Sequence, residues 1–344
     1  MNLSPRKNAN GCLWLIVVAL VIVVSFGIMT VSFDLPVLLT LVISVVCAIF
    51  IAVKLVGKPT LASIIKNFVA IVFVLGVLIA GISFLFGLVQ TTKEDIVFTP
   101  EETVEKTLLI EGSDTISVYA SARQWRDNFG NRFNTTLTVR DKDYQRLKDH
   151  IRSYNPRSSM NFWGNLYDYI ERTDRPSLDL ILNSFRSIQN DKKLNAMEFA
   201  EMVVSCIQDI PYSYVFQNKC LPAENYEYTI RTLLEQCPEC CIGNIMYGIQ
   251  NPVSFMQNLK GDCDTRTVMI YSILKHFGYD VAILNSEFYR HSILGINLPA
   301  SGYSKIYNGK KYILWETTAK YFSAGNLPSS YDDLTYWNVV LTSK

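Results

Sequence analysis

A chain of 344 residues has room for two or three units at ~100–200 residues per domain. Its formal net charge of +1 shows neither the basic excess that nucleic acid demands nor the acidic excess of a solvating tail, which argues against DNA or RNA as a partner. Apolar residues crowd into positions 1–92, and the rest of the chain has the mixed composition of a globular protein with enough length to bury a core.

Residues 11–33, 35–53 and 67–89 contain no Asp, Glu, Lys or Arg, and each stretch is close to the ~20 residues that cross a bilayer as a helix. Trp14 sits near one end of the first, where interfacial aromatics concentrate. Positions 1–92 are therefore predicted to form a membrane domain of three transmembrane α-helices, with the lipid bilayer as a partner. Arg6 and Lys7 precede the first span, and Lys54, Lys58 and Lys66 surround the connection between the second and third. By the positive-inside rule those ends face the cytoplasm. The protein is then expected to be an integral protein of a bacterial inner membrane, with its N-terminus cytoplasmic and its C-terminal domain periplasmic or extracellular. Gly76, Ala80, Ser83 and Gly87 offer small residues at helical spacing for close packing in the third span.

Beyond residue 92 the patterns are those of an α+β domain. Residues 116–127 and 132–140 read as strands joined by Asn128-Phe129-Gly130-Asn131, whose Gly and Asn permit the positive φ of a hairpin turn. Leu147 and Ile151, Leu166 and Ile170, and then Leu178, Ile181, Leu182, Phe185 and Ile188 recur at helical intervals. These complete a lead-in over 93–194. The core, 195–344, begins with a helix that Asn195 caps and Glu198 supports as a capping-box partner, and Pro211 ends it. Asp262 or Gly261 opens a further helix that stops at Gly278. Strands are predicted at 280–284, 291–297 and 311–316, with a turn at Gly309-Lys310 between the last two, and a final strand at 337–341. Helices followed by antiparallel strands make an α+β fold.

Cys263 is placed at a helix N-terminus, whose partial positive charge lowers a thiol pKa. His291 on a strand packed against that helix can share the thiol proton, and Glu316 on the next strand can hold the imidazole tautomer. Of the three histidines, His150 falls on a polar helix face and His276 near a helix C-terminus, leaving His291 as the candidate base. The Cys263 backbone N–H is one oxyanion donor, and Gln257 is a candidate for the second. Asp262 and Asp264 are expected to cap the helix and hydrogen-bond locally, their charge opposing thiolate formation.

The runs Leu259-Lys260-Gly261-Asp262-Cys263-Asp264-Thr265-Arg266, His291-Ser292-Ile293-Leu294-Gly295 and Trp315-Glu316-Thr317-Thr318 resemble the three signature blocks of the transglutaminase-like superfamily of papain-like cysteine enzymes. Gln208-Asp209-Ile210-Pro211-Tyr212 is similar to the segment that bacterial members place ahead of their core. The resemblance covers about residues 195–318 and implies a nucleophile helix packed on an antiparallel sheet, with Cys263, His291 and Glu316 as the catalytic triad; Glu316 departs from it, since the family more often carries Asp. It implies an enzyme of a membrane-anchored bacterial type that acts through a thioester on amide bonds of peptides or proteins of the cell envelope, as peptidase, amidase or acyltransferase. The alternative is an inactive peptide-binding or assembly module on the same fold. No cofactor or metal is implied.

Among the other cysteines, Cys12, Cys47 and Cys206 are expected to be free small hydrophobes. Cys220, Cys237, Cys240 and Cys241 cluster ahead of the nucleophile. Cys237 and Cys240 have a spacing that suits zinc in a reducing compartment, whereas an oxidising one favours one or two disulfides, with the pairing open.

Overall fold

The computed structural model describes residues 14–15, 17–22, 24–25, 37–57, 60, 103–156 and 160–344. The chain divides into two compact units, Met1–Asp95 and Ile96–Lys344.

In the first unit, helix α1 (Val37–Val56) carries Lys54 in its last turn. Thr40, Ser44, Ala48 and Ala52, four residues apart on one face, are buried, while Val42, Val46, Phe50 and Leu55 are exposed. Among the described residues no helix is long and apolar enough to cross a membrane. The uncharged part of α1, Val37 to Val53, reaches about 26 Å at ~1.5 Å per residue, short of the ~30 Å hydrocarbon core. The first expected span is described only in short pieces, and the third, with its small-residue stripe, lies outside the described residues, as do Arg6, Lys7, Lys58, Lys66 and Cys12. This finding overturns the architecture of three transmembrane helices, and the integral-membrane location and topology built on it.

The second unit is α+β, as expected. Strands β1 (Glu105–Glu111), β2 (Asp114–Arg126) and β3 (Arg132–Arg140) form an antiparallel sheet in chain order. At the β2–β3 turn Gly130 takes φ +87°, and the Asp127 carboxylate accepts from the backbone N–H groups of Phe129 (3.0 Å) and Asn131 (2.8 Å). Trp125 donates from its indole to the Met202 carbonyl (3.1 Å), tying this sheet to the helix that follows it in the core. Strand β1 escapes the sequence patterns because its Leu108 and Ile110 stay exposed.

Five helices follow: α2 (Asp141–Leu147), α3 (Phe162–Asp174), α4 (Asp179–Lys192), α5 (Ala196–Asp209) and α6 (Tyr228–Gln236). The capping box of α5 is present, with the Asn195 side chain accepting from Glu198 N–H and the Glu198 carboxylate accepting from Asn195 N–H. Helix α7 (Pro252–Asn258) precedes α8 (Cys263–His276), which Asp262 caps by accepting from Thr265 N–H at 3.1 Å. Gly278 closes α8 at φ +84°. A short parallel pair, β4 (Tyr214–Val215) and β5 (Cys241–Ile242), lies between α5 and α7 in the chain.

Helix α8 is buried along almost its whole length, with α3, α5 and α7 on one side and a second sheet on the other. That sheet is antiparallel in the order β10-β6-β7-β9-β8, built from β6 (Val281–Ser286), β7 (His291–Ile296), β8 (Ser304–Tyr307), β9 (Lys310–Trp315) and β10 (Asn338–Thr342). Strand β8 is an addition to the expected set. The Gly309 turn (φ +75°) therefore joins β8 to β9 rather than β7 to β9. One core cluster runs from Trp125 and Phe133 through α3, α4, α5 and α8 to Ile313 and Trp315, so the lead-in and the core share a single interior.

The buried guanidinium of Arg266 fastens the start of α8 to the end of α5. It donates to the carbonyls of Gly261 (2.8 Å), Ile207 (2.9 Å), Ile210 (2.7 Å) and Pro211 (2.5 Å), and its plane lies 5.5 Å from the Tyr212 ring. The carbonyls of Ile207 and Ile210 belong to the last turn of α5 and its cap, where the helix dipole is negative. Arg266→Met should cost about 3 kcal/mol or more, because carbonyls sealed from water lose their donors. A urea titration checks this; a midpoint equal to that of the parent would show that the clamp carries no net stability.

Candidate active site

Cys263 is the first residue of α8 and is buried. Gly261 makes the approach possible: a Cβ there would lie 2.7 Å from the Phe255 ring. The Ser292 backbone N–H acts to lower the Cys263 thiol pKa, against the larger effect of burial. Because Ser292 follows His291, the nucleophile helix and the start of β7 meet at this point. The Thr267 hydroxyl adds a second tie, donating to the Ser292 carbonyl (3.3 Å) and meeting the Thr317 hydroxyl (2.8 Å).

His291 opens β7 opposite Ser286 and is buried. Its Nε2 lies 2.8 Å from Glu316 Oε2, which leaves Nδ1 as the nitrogen free for proton transfer. The imidazole stacks on Tyr331 at 4.9 Å, with Trp337 at 6.0 Å across a steep angle. Glu316 follows the last residue of β9. Its other oxygen, Oε1, accepts from the N–H of Thr317 (2.8 Å), the N–H of Thr318 (2.7 Å) and the Thr318 hydroxyl (2.6 Å). Its backbone carbonyl takes an N–H of Gln208 (2.7 Å), whose side chain also donates to the Phe322 carbonyl (3.0 Å). Burial works to raise the Glu316 carboxyl, but the hydrogen bond and charge of His291, with Thr318, hold it below its ordinary value. A carboxylate gripped by four donors is fixed in place and stays ionised.

Among the described residues no hydrogen bond joins the Cys263 sulfur to the imidazole. Burial, followed by the charges of Asp264 and Asp262, pushes the Cys263 thiol well up, while the Ser292 N–H pulls the other way. This corrects the expectation that the helix N-terminus lowers the thiol pKa. About half an elementary charge at the dipole end is outweighed by burial and two neighbouring carboxyls. Those carboxyls do bond locally as expected. Asp264 Oδ1 accepts from the Tyr167 hydroxyl (2.7 Å) and from the Ser292 hydroxyl, and the Asn285 amide donates to Tyr167 (2.9 Å) and Ser292 (3.1 Å). Asp262, buried beside Asp264, is itself raised by burial and by that charge.

Gln257 sits in the last turn of α7, and none of the described hydrogen bonds involves its side chain. A further candidate donor is the Tyr212 hydroxyl. Its titration is pushed well up by burial and by the nearness of Cys263 and Asp262, and no described group engages it. Tyr214 and Tyr331 are likewise raised, first by burial and in smaller part by the charge of Cys263. Pro211-Tyr212 was legible as part of the segment ahead of the core, and Trp337 only as the start of a final strand; Tyr331, in a loop remote in sequence, carried no signal.

His150 is not on a solvated helix face. It opens a 3₁₀ turn and is half-buried, its side chain 8% exposed and Nε2 2.9 Å from Asp174 Oδ1. His276 meets Arg186 Nη2 at 2.9 Å and is lowered by burial and by Arg186 and Arg175, so a neutral acceptor replaces the expected dipole contact. Cys206 is buried and its thiol is pushed up to about 12 by burial, while Cys47 is exposed. Cys220 pairs with Cys241 and Cys237 with Cys240, each as a disulfide. The bonds occupy the sulfurs that a zinc ion would need, and among the described residues no group of His, Cys, Asp and Glu is arranged to hold a metal. No protein-family model, curated protein or solved structure matches the chain, so the family resemblance rests on these residues alone.

The raised thiol fixes a pH dependence. Reaction of Cys263 with iodoacetamide needs the thiolate, so its rate should climb steadily from about pH 6 to about pH 9 without a plateau. A rate already level near pH 5 would instead reveal a thiolate–imidazolium pair at rest.

Proposed function

We propose that this chain is a transglutaminase-like cysteine enzyme that attacks amide bonds of peptides or proteins through a thioester. The observation that supports this reading is the His291–Glu316 pair, 2.8 Å apart and locked by the Thr317 and Thr318 donors, at strand ends that Thr267 ties to the helix beginning at Cys263. A structural ion pair needs no thiol beside it.

The chemistry starts from a neutral thiol. His291 takes the Cys263 proton at Nδ1 as the sulfur attacks the carbonyl carbon, and Glu316 supports the imidazolium through Nε2. The oxyanion that forms meets the Cys263 backbone N–H at the head of α8 and the Tyr212 hydroxyl. His291 then returns the proton to the departing amine nitrogen, leaving an acyl thioester. Water closes the cycle as hydrolysis, and an amine closes it as acyl transfer. The high thiol pKa is the one observation that favours the second reading, an inactive peptide-binding module on the same frame.

Incubation with a peptide amide substrate library, with mass spectrometry of trapped acyl-Cys263, separates the two. Cys263→Ala should abolish the adduct without loss of folding, and His291→Ala should lower its rate by about 10²–10⁴-fold. Glu316→Asp keeps the charge, but the shorter side chain cannot hold both the imidazole and the Thr317–Thr318 cradle, so a loss of about tenfold or more is expected. Absence of any adduct on the folded parent chain at alkaline pH would leave the binding module as the function.

A further inference from the structure

A second site lies beyond the β6–β7 hairpin, in a cleft of about 510 Å³ between the head of α3, the β6–β7 turn and the segment leading into β10. That volume falls within the ~300–1,000 Å³ usual for small-molecule sites. Its walls are of two kinds. Phe162 and Trp163 form one aromatic corner, edge to face at 5.4 Å, and Phe288 stacks on Tyr336 at 4.0 Å to form another. Between them stand the amides of Asn285 and Asn338 and the carboxylate of Glu287.

The chemistry of this lining selects its occupant. Among the described residues that face the cleft there is no Lys or Arg, so nothing there balances a phosphate or a carboxylate. Aromatic faces carry negative charge density and attract the C–H groups on the flat side of a sugar ring. Amide side chains offer a donor and an acceptor together, the pairing that adjacent hydroxyls require. Asn285 spends its N–H groups on Tyr167 and Ser292, and its carbonyl oxygen has no described partner. The Asn338 amide and the Glu287 carboxylate likewise have none among the described residues. Phe288 is 66% exposed, a wide apolar surface for a soluble face, and it is continuous with the cleft.

We infer that this cleft binds a neutral saccharide, with its ring stacked on the Phe288–Tyr336 and Phe162–Trp163 faces and its hydroxyls bonded to Asn285, Asn338 and Glu287. The site does not depend on the proposed chemistry at Cys263, and its ligand need not be a substrate.

Isothermal titration of the full chain with chitotetraose, maltotetraose, cellotetraose and spermidine tests the inference. At least one tetrasaccharide should bind saturably. Phe288→Ala and Asn338→Ala should each weaken it by about fivefold or more, since a stacking face or a bonded amide is worth roughly 1 kcal/mol. Both side chains reach solvent, so circular dichroism should find both variants folded. Glu287→Gln, which keeps hydrogen bonding without the charge, should leave affinity within about threefold. The inference fails if no tetrasaccharide saturates, if Phe288→Ala binds as the parent does, or if spermidine alone binds and Glu287→Gln abolishes it, which would make this a cation site.

Discussion

The end of α5 is where the geometry of the candidate active site is set, and the Arg266 guanidinium is what holds it. Four carbonyl contacts draw the head of α8 onto the last turn of α5 and the Ile210-Pro211 bend. From that same turn Gln208 reaches across to the Glu316 carbonyl. One short stretch of backbone thus positions the cysteine helix on one side and the acidic strand end on the other. Burial lowers the Arg266 pKa to about 10, yet the group stays charged near neutrality, with the charges of Asp262 and Glu316 in its favour. A lysine offers one donor centre and cannot span these carbonyls, so the planar fork is what the position demands.

The electrostatics around the thiol follow from crowding several acids into a dry region. Asp262 is committed to capping α8, and Asp264 to the cluster of Tyr167, Ser292 and Asn285. Burial, together with the negative charge that Asp264 places beside Cys263, makes the thiol hold its proton. Glu316 stands in the same dry region but has the opposite response, because its oxygens meet N–H and O–H donors instead of other carboxylates. Burial pushes Asp262, the Cys263 thiol and Glu316 each toward the neutral form, and of these only Glu316 meets enough donors to overcome it.

Local rules carried much of the fold. Asn195 with Glu198, Asp262 with Gly278, and the Asn128–Asn131 hairpin each announce an element through chemistry confined to a few residues. The nearness of Cys263, His291 and Glu316 was legible only through the order of their motifs. What escaped depends on partners far along the chain. Strand β1 is recruited by pairing to β2, although Leu108 and Ile110 face solvent. His150 turns its side chain inward to Asp174, and Tyr331 covers His291 from a loop that no periodicity marks. Hydropathy alone overreached at residues 35–53, where the helix meets Lys54 before its uncharged length suffices.

The β6–β7 turn joins these threads. It begins at Ser286, whose hydroxyl accepts from the Tyr289 N–H (3.1 Å), and ends at Arg290, held at φ +50° immediately before His291. Tyr289 folds back toward Tyr331 and Trp337, the rings that cover the imidazole, while Phe288 turns out to Tyr336 in the cleft. The two adjacent rings touch each other and both meet Tyr336, linking the cleft to the cover of the imidazole. Asn285 does the same across the hairpin, facing the cleft while its amide supports the Tyr167–Asp264–Ser292 cluster next to the thiol. The cleft and the candidate active site thus share one hairpin, Asn285 and Phe288 lining the first while Ser292 and Tyr289 contact the groups around His291 and Cys263.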